Sequence, residues 1–239
     1  MYTKLIRPIL FLFSAEFMHK LIIRIMRTVY MVPGIGLLVR LVMTGQIKKL
    51  NINVMGIDFP NPVGLAAGLD KNGTCTRPFS DLGFGWVELG TVTPKSQKGN
   101  PGRRIFRLES EHAIINRLGF PSVGVNRFLM NLRLFGKKGI IGINIGKNAT
   151  TPISQANDDY LMAMRAVYPH AHYIAINISS PNTTGLRELQ SGENLDSLLS
   201  CLKQEQIVQT QTRRHYVPLA VKIAPDLNDE ELKSIADTV

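Results

Sequence analysis

Cysteine is scarce in this chain. Cys75 and Cys201 stand far apart with no metal-ligand spacing around them, which leaves neither a disulfide framework nor a cysteine metal site. A reducing cytosol is the simplest setting. Long hydrophobic runs are missing too. None reaches the ~18 residues of a membrane span, and the longest uncharged run near the N-terminus, residues 28–39, is broken by Pro33, Gly34 and Gly36. Lys4 and Arg7 precede an apolar stretch, residues 8–13, in the manner of a signal peptide, but no small-x-small cleavage site follows. There is no Walker ending and no GxGxxG fingerprint. Charged residues are only 19% of the chain, low for a disordered protein and ordinary for a globular enzyme. With 44% hydrophobic residues over 239 positions, the chain can bury a sizeable core in one large domain or two.

The net charge of +10 is unevenly spread. Residues 1–50 carry Lys4, Arg7, Lys20, Arg24, Arg27, Arg40, Lys48 and Lys49 against a single acid, Glu16. This marks residues 1–50 as a unit apart from residues 51–239. Interleaved apolar residues argue against nucleic acid as its partner. Phe17, Leu21 and Ile25 recur at helical spacing, as do Met18, Ile22 and Met26, while Lys20, Arg24 and Arg27 gather on another side. Two readings fit about equally: a helix lying on an anionic membrane surface, or one packed on its own domain with a solvated basic face.

From residue 61 onward, short β-rich runs alternate with helical ones. Strands are expected at 63–67, 86–90, 140–145, 173–178 and 219–223, with helices near 77–82, 122–135, 153–167, 195–207 and from Asn228 onward. Near-continuous apolar strands with helical crossovers indicate a parallel sheet. A doubly wound sheet gathers its ligand contacts at one switch point. Here each strand ends in a polar group (Lys71, Thr91, Asn144, Asn177 with Ser180, and Lys222), which favours an eight-stranded β/α barrel with its chemistry on one rim. Five units are counted, so the expectation is a piece of a longer barrel, inactive by itself.

The motifs differ in specificity. In the segment 64–71, small residues end in Lys71, which lets a flat ligand approach the backbone; a tight turn with a solvated lysine is the plainer account. Asn116 sits beside a glycine turn. Asn144 falls mid-strand where valine is expected, and a buried amide needs a partner. In the segment 177–183, Pro181 biases Ser180 toward an extended backbone. A serine alone is a weak base and no histidine is near it in sequence. Lys222, between Val221 and Ile223, is costly in a barrel unless it meets an anion or an electron-rich ligand. These residues alone leave other classes open, among them a lyase or aldolase using Lys71 or Lys222 as an imine-forming amine, or a non-enzymatic membrane-surface module.

Taken in order, GLAAGLDK, GTVTP, FRL with NRLGF, GINIGKN, NISSPNT and VKIAPDL resemble the quinone-dependent (class 2) dihydroorotate dehydrogenases across essentially the whole chain. The resemblance implies a (β/α)8 barrel behind an N-terminal membrane-associating extension. It implies FMN-dependent oxidation of (S)-dihydroorotate to orotate in pyrimidine biosynthesis, with a membrane quinone as acceptor. The protein would sit peripherally at the cytoplasmic face of the cell membrane. Ser180, where class 1 relatives have cysteine, would be the base that removes the C5 proton, helped by a neighbouring hydroxyl or water. Lys71, Asn116, Asn177 and Asn182 would hold orotate, with Arg117, Leu118, Gly119 and Phe120 completing that loop. Ala67, Gly68, Leu69, Asp70 and Lys71, with Thr91, Asn144, Asn177 and Lys222, would line FMN. His19 and Arg107 would stand near the quinone path.

Overall fold

The computed structural model describes residues 2–44, 50–190 and 192–239, so Lys48 and Lys49 of the basic segment lie outside the described residues. Three helices come first: α1 (Arg7–Phe11), α2 (Ala15–Val29) and α3 (Ile35–Thr44). Ser14 starts α2 by accepting the Phe17 amide, as an N-cap serine should. A hairpin of β1 (Ile52–Val54) and β2 (Ile57–Phe59) leads into β3 (Gly64–Leu65), α4 (Thr76–Asp81) and β4 (Trp86–Val92). A second hairpin, β5 (Ile105–Leu108) with β6 (Ala113–Asn116), is inserted before α5 (Val125–Phe135) and β7 (Ile140–Ile145). Then come α6 (Ala156–Val167), β8 (Tyr173–Asn177), α7 (Gly192–Arg213), β9 (Leu219–Lys222) and α8 (Asp229–Thr238).

The main sheet is parallel throughout and runs β3-β4-β7-β8-β9. Its spatial order follows chain order, so the sheet has no switch point, and the winding is that of a β/α barrel rather than a doubly wound fold. The apolar strands 140–145 and 173–177 are buried nearly end to end because crossover helices cover them. Ile141, Ile143, Ile174 and Ile176 pack with Tyr160, Met164, Leu198 and Leu202 of α6 and α7 to form the core. All five expected strands and helices appear, with ends shifted by a few residues. The two hairpins were not anticipated.

On α2 the side carrying Glu16, His19, Lys20, Arg24 and Arg27 lines a cavity between helix and barrel. Lys20 and Arg24 on this side are exposed, as are Phe17, Ile22, Ile25 and Val29, while Ile23 and Met26 pack against the core. Only Met18 on this helix is fully buried. Glu16 pairs with Arg104 at 2.6 Å and the Arg27 guanidinium lies over the Phe135 ring at 5.2 Å, which tie α2 to the domain, while Lys20 bridges Glu16 at 2.8 Å along the helix itself. No helix among the described residues is long and apolar enough to cross a membrane.

Candidate active site

The carboxyl ends of β3, β4, β8 and β9 surround a cavity of about 370 Å³. Ala67, Gly68 and Lys71 follow β3, and Thr91 sits near the end of β4. Asn116, Leu118, Gly119 and Phe120 come from the loop that closes the second hairpin. Asn177 ends β8, Ser180 and Asn182 follow it, and Lys222 ends β9. Twelve positions singled out from the sequence thus meet in one place, along with Ser179, Arg187 and Pro225, which were not.

A hydrogen-bond chain runs beneath the floor of this cavity. Lys222 Nζ donates to Ser179 Oγ at 3.3 Å, and Ser179 Oγ donates to Asn177 Oδ1 at 2.8 Å. Asn177 Nδ2 donates to both Thr91 Oγ1 and Asn144 Oδ1 at 3.0 Å, and Thr91 Oγ1 donates to Asn144 Oδ1 at 2.6 Å. Tyr160, fully buried behind β8, holds the Asn177 carbonyl at 2.7 Å. The amides are thereby fixed without a ligand, as a preorganised site requires.

Ser180 Oγ accepts the Asn182 amide at 3.2 Å, which leaves its own proton uncommitted. Three positions on, Thr183 is buried and its hydroxyl has no partner among the described residues. A buried orphan hydroxyl is uncommon. The sequence alone did not single it out. Lys71 Nζ donates to the Gly68 carbonyl, and burial pulls its pKa below the usual lysine range.

Several expected residues lie elsewhere. Asn144 is fully buried one layer below the cavity, with Thr91, Asn177 and Glu88 as partners, so its amide is already satisfied. Asp70 turns away and accepts the Thr74 and Cys75 amides at 3.0 and 2.7 Å, anchoring the turn into α4. Leu69 borders the neighbouring cavity instead. The Arg117 side chain braces the loop through the Arg103 and Pro101 carbonyls at 3.1 and 3.0 Å and does not line the cavity. Lys222 was expected to be buried, but it is exposed, because β9 is an edge of the sheet and nothing covers its outer side among the described residues.

The second cavity, about 580 Å³, lies between α2 and the barrel and shares Lys71, Leu118 and Pro121 with the first. His19 lines it as expected, and burial together with the nearby Lys71 charge lowers its pKa to about 4. Arg107 does not. It donates to the Phe13 carbonyl at 2.9 Å and stacks on Phe11 at 4.3 Å, outside the cavity wall. Arg104 takes the place foreseen for it, paired with Glu16 and donating also to the Lys98 and Asn100 carbonyls. Two arginines three positions apart in one strand segment cannot be told apart from spacing.

The residues present suit the flat ring system that the sequence resemblance implies. Gly68 has a backbone φ of +112° with open space where a side chain would begin, and it flanks Ala67 on the cavity wall. A flat ligand can therefore lie against the backbone there.

Residues 49–239 match the family model described as dihydroorotate dehydrogenase. The chain is 50% identical over 235 residues to a protein named dihydroorotate dehydrogenase (quinone) from Idiomarina loihiensis, covering 98% of this chain and 69% of that protein. A protein of the same name from Serratia proteamaculans is 49% identical, with 100% of this chain and 70% of that protein covered. A crystal structure of DHODH from Eimeria tenella in complex with ferulenol has a TM-score of 0.72 at 40% identity, over 84% of this chain and 61% of that one. The chain thus spans about two thirds of the relatives it matches.

Proposed function

This chain belongs to the dihydroorotate dehydrogenase family, and we propose that it serves the quinone-dependent oxidation of (S)-dihydroorotate to orotate in pyrimidine biosynthesis, with FMN as its flavin. The observation that carries this reading is the convergence of Lys71, Asn177, Ser180, Asn182 and Lys222 on one cavity at the strand ends. FMN, when bound, supplies the acceptor for the hydride leaving substrate C6. The chain's own residues do the rest. Lys71 offers a cation to the substrate carboxylate, and Asn116 and Asn182 offer amides to the ring edge, with Asn177 held at the floor by Thr91 and Asn144. Ser180 removes the C5 proton, and the unpartnered Thr183 hydroxyl provides an onward path for it. Ala67, Gly68, Thr91 and Lys222 would hold the flavin, with Asn144 orienting Asn177 from below.

The second cavity, with His19 and Arg104, is the proposed quinone path to Lys71. The outward apolar side of α2 and the exposed Leu37, Leu38, Leu41 and Val42 of α3 would rest in the membrane, placing residues 1–50 peripherally at its cytoplasmic face.

The test is the visible spectrum of the purified protein with FMN, before and after anaerobic dihydroorotate. A flavin band that bleaches supports this reading and sets aside the expectation that five units are inactive by themselves. A protein that takes up no flavin, yet is trapped by borohydride with a carbonyl substrate, would make it a lyase instead.

A further inference from the structure

Glu88 is out of place. The inward layers of a β/α barrel are mostly bulky and branched apolar residues, yet here a carboxylate stands in one, a strand row below the cavity floor. The register sets Glu88 of β4, Gly142 of β7 and Tyr173 of β8 side by side. Gly142 makes the row possible: a Cβ there would lie 2.1 Å from the Tyr173 ring, which crosses the vacant position. Tyr173 thereby reaches Glu88 Oε2 at 2.8 Å, while Asn144 Nδ2 meets Oε1 at 2.9 Å. Burial, with the Glu88 charge as a second cause, raises the Tyr173 pKa, so the phenol keeps its proton and donates.

A carboxylate only accepts hydrogen bonds. Asn144 must therefore turn its NH₂ toward Glu88, since the flipped amide would press its oxygen against the anion. Its Oδ1 then faces upward and accepts from Thr91 and Asn177. That commits both Asn177 Nδ2 protons and leaves Asn177 Oδ1 for Ser179. Ser179 Oγ in turn accepts from Lys222. Every donor in the chain points the same way, from the Lys222 cation to the Glu88 anion.

We propose that Glu88, braced by Tyr173, is a positioning residue that fixes the amide orientations of Asn144 and Asn177 and so the hydrogen-bond network that floors the cavity. Its effect on flavin binding rests on the function proposed above; its effect on the amides does not.

The experiment compares Glu88→Gln with wild type in the 239-residue chain by NMR of the side-chain amides of Asn144 and Asn177, without ligand. The neutral amide put in by this change can present either an oxygen or an NH₂, so both asparagine amide pairs should shift or double while the cooperative melt persists. FMN affinity, read by fluorescence quenching, should fall about tenfold. Unmoved amide signals in a folded Glu88→Gln protein would overturn the proposal. Should that variant not fold, Asn144→Leu cuts the chain above an intact Glu88–Tyr173 pair, and unmoved Asn177 signals there would overturn it equally. A wild-type protein that binds no FMN would sink the functional reading and leave the amide result standing.

Discussion

Ser180 is placed to move a proton but has little basicity of its own, so its contribution depends on where it is held. Replacing it with alanine should lower kcat by roughly 10²–10⁴-fold, the usual range for a lost general base. KM should change little, because Lys71 and the amides remain; steady-state kinetics would show the split. Two further side chains give a pH signature. His19 titrates at about 4 when folded against 6.5 when free, so the unfolded chain takes up a proton that the folded chain refuses. Stability should therefore drop as pH falls from 6.5 to 4. Glu16 is held at about 2, chiefly by its hydrogen bond to Arg104, against 4.5 when free. Its contribution is present above pH 4.5 and is lost between 4.5 and 2. Denaturant midpoints across pH should separate the two, with His19→Gln flattening the upper window and Glu16→Gln the lower.

At the scale of elements, α8 offers a clean test. Asn228 accepts the Glu231 amide at 2.9 Å, and the Glu231 carboxylate accepts the Asn228 amide at 2.8 Å, a reciprocal capping box. Asn228→Ala should cost about 1 kcal/mol, seen as faster amide hydrogen exchange in α8. That cap was legible from Asn-Asp-Glu-Glu alone, and β7 and β8 were legible as apolar runs, because both signals are local. The hairpins were not. Every residue of β1 and of β6 is exposed, so neither strand has a buried face to impose alternation. The site divided along the same line. Polar residues at strand ends could be read from spacing, since the strands fix them. Arg107 and Arg117 could not, because only the hairpin's path decides which guanidinium reaches a cavity and which braces a loop. Thr183 was legible only as one hydroxyl among several until its burial without a partner set it apart.

For the whole molecule, the exposed apolar surface of α2 and α3 is the dominant feature. A helix that leaves Phe17, Ile22, Ile25 and Val29 outward gains nothing from water there, and α3 continues the exposed apolar surface. The protein should float with lipid vesicles, and Phe17→Ser with Leu41→Ser should weaken that binding. Anionic vesicles should bind it better than neutral ones, since Lys20 and Arg24 of α2 are exposed beside that apolar surface. Equal binding to neutral and anionic lipid in a flotation assay would contradict this setting.

Lys71 stands in the wall common to both cavities. One ammonium cannot lean toward an occupant on each side at once, so what fills one chamber alters the welcome given in the other. That influence is reciprocal by thermodynamic necessity. A molecule lodged beside His19 changes the grip on whatever lies beside Ser180 by the same factor that the latter changes the former, and the two chambers act as a single ledger of affinity.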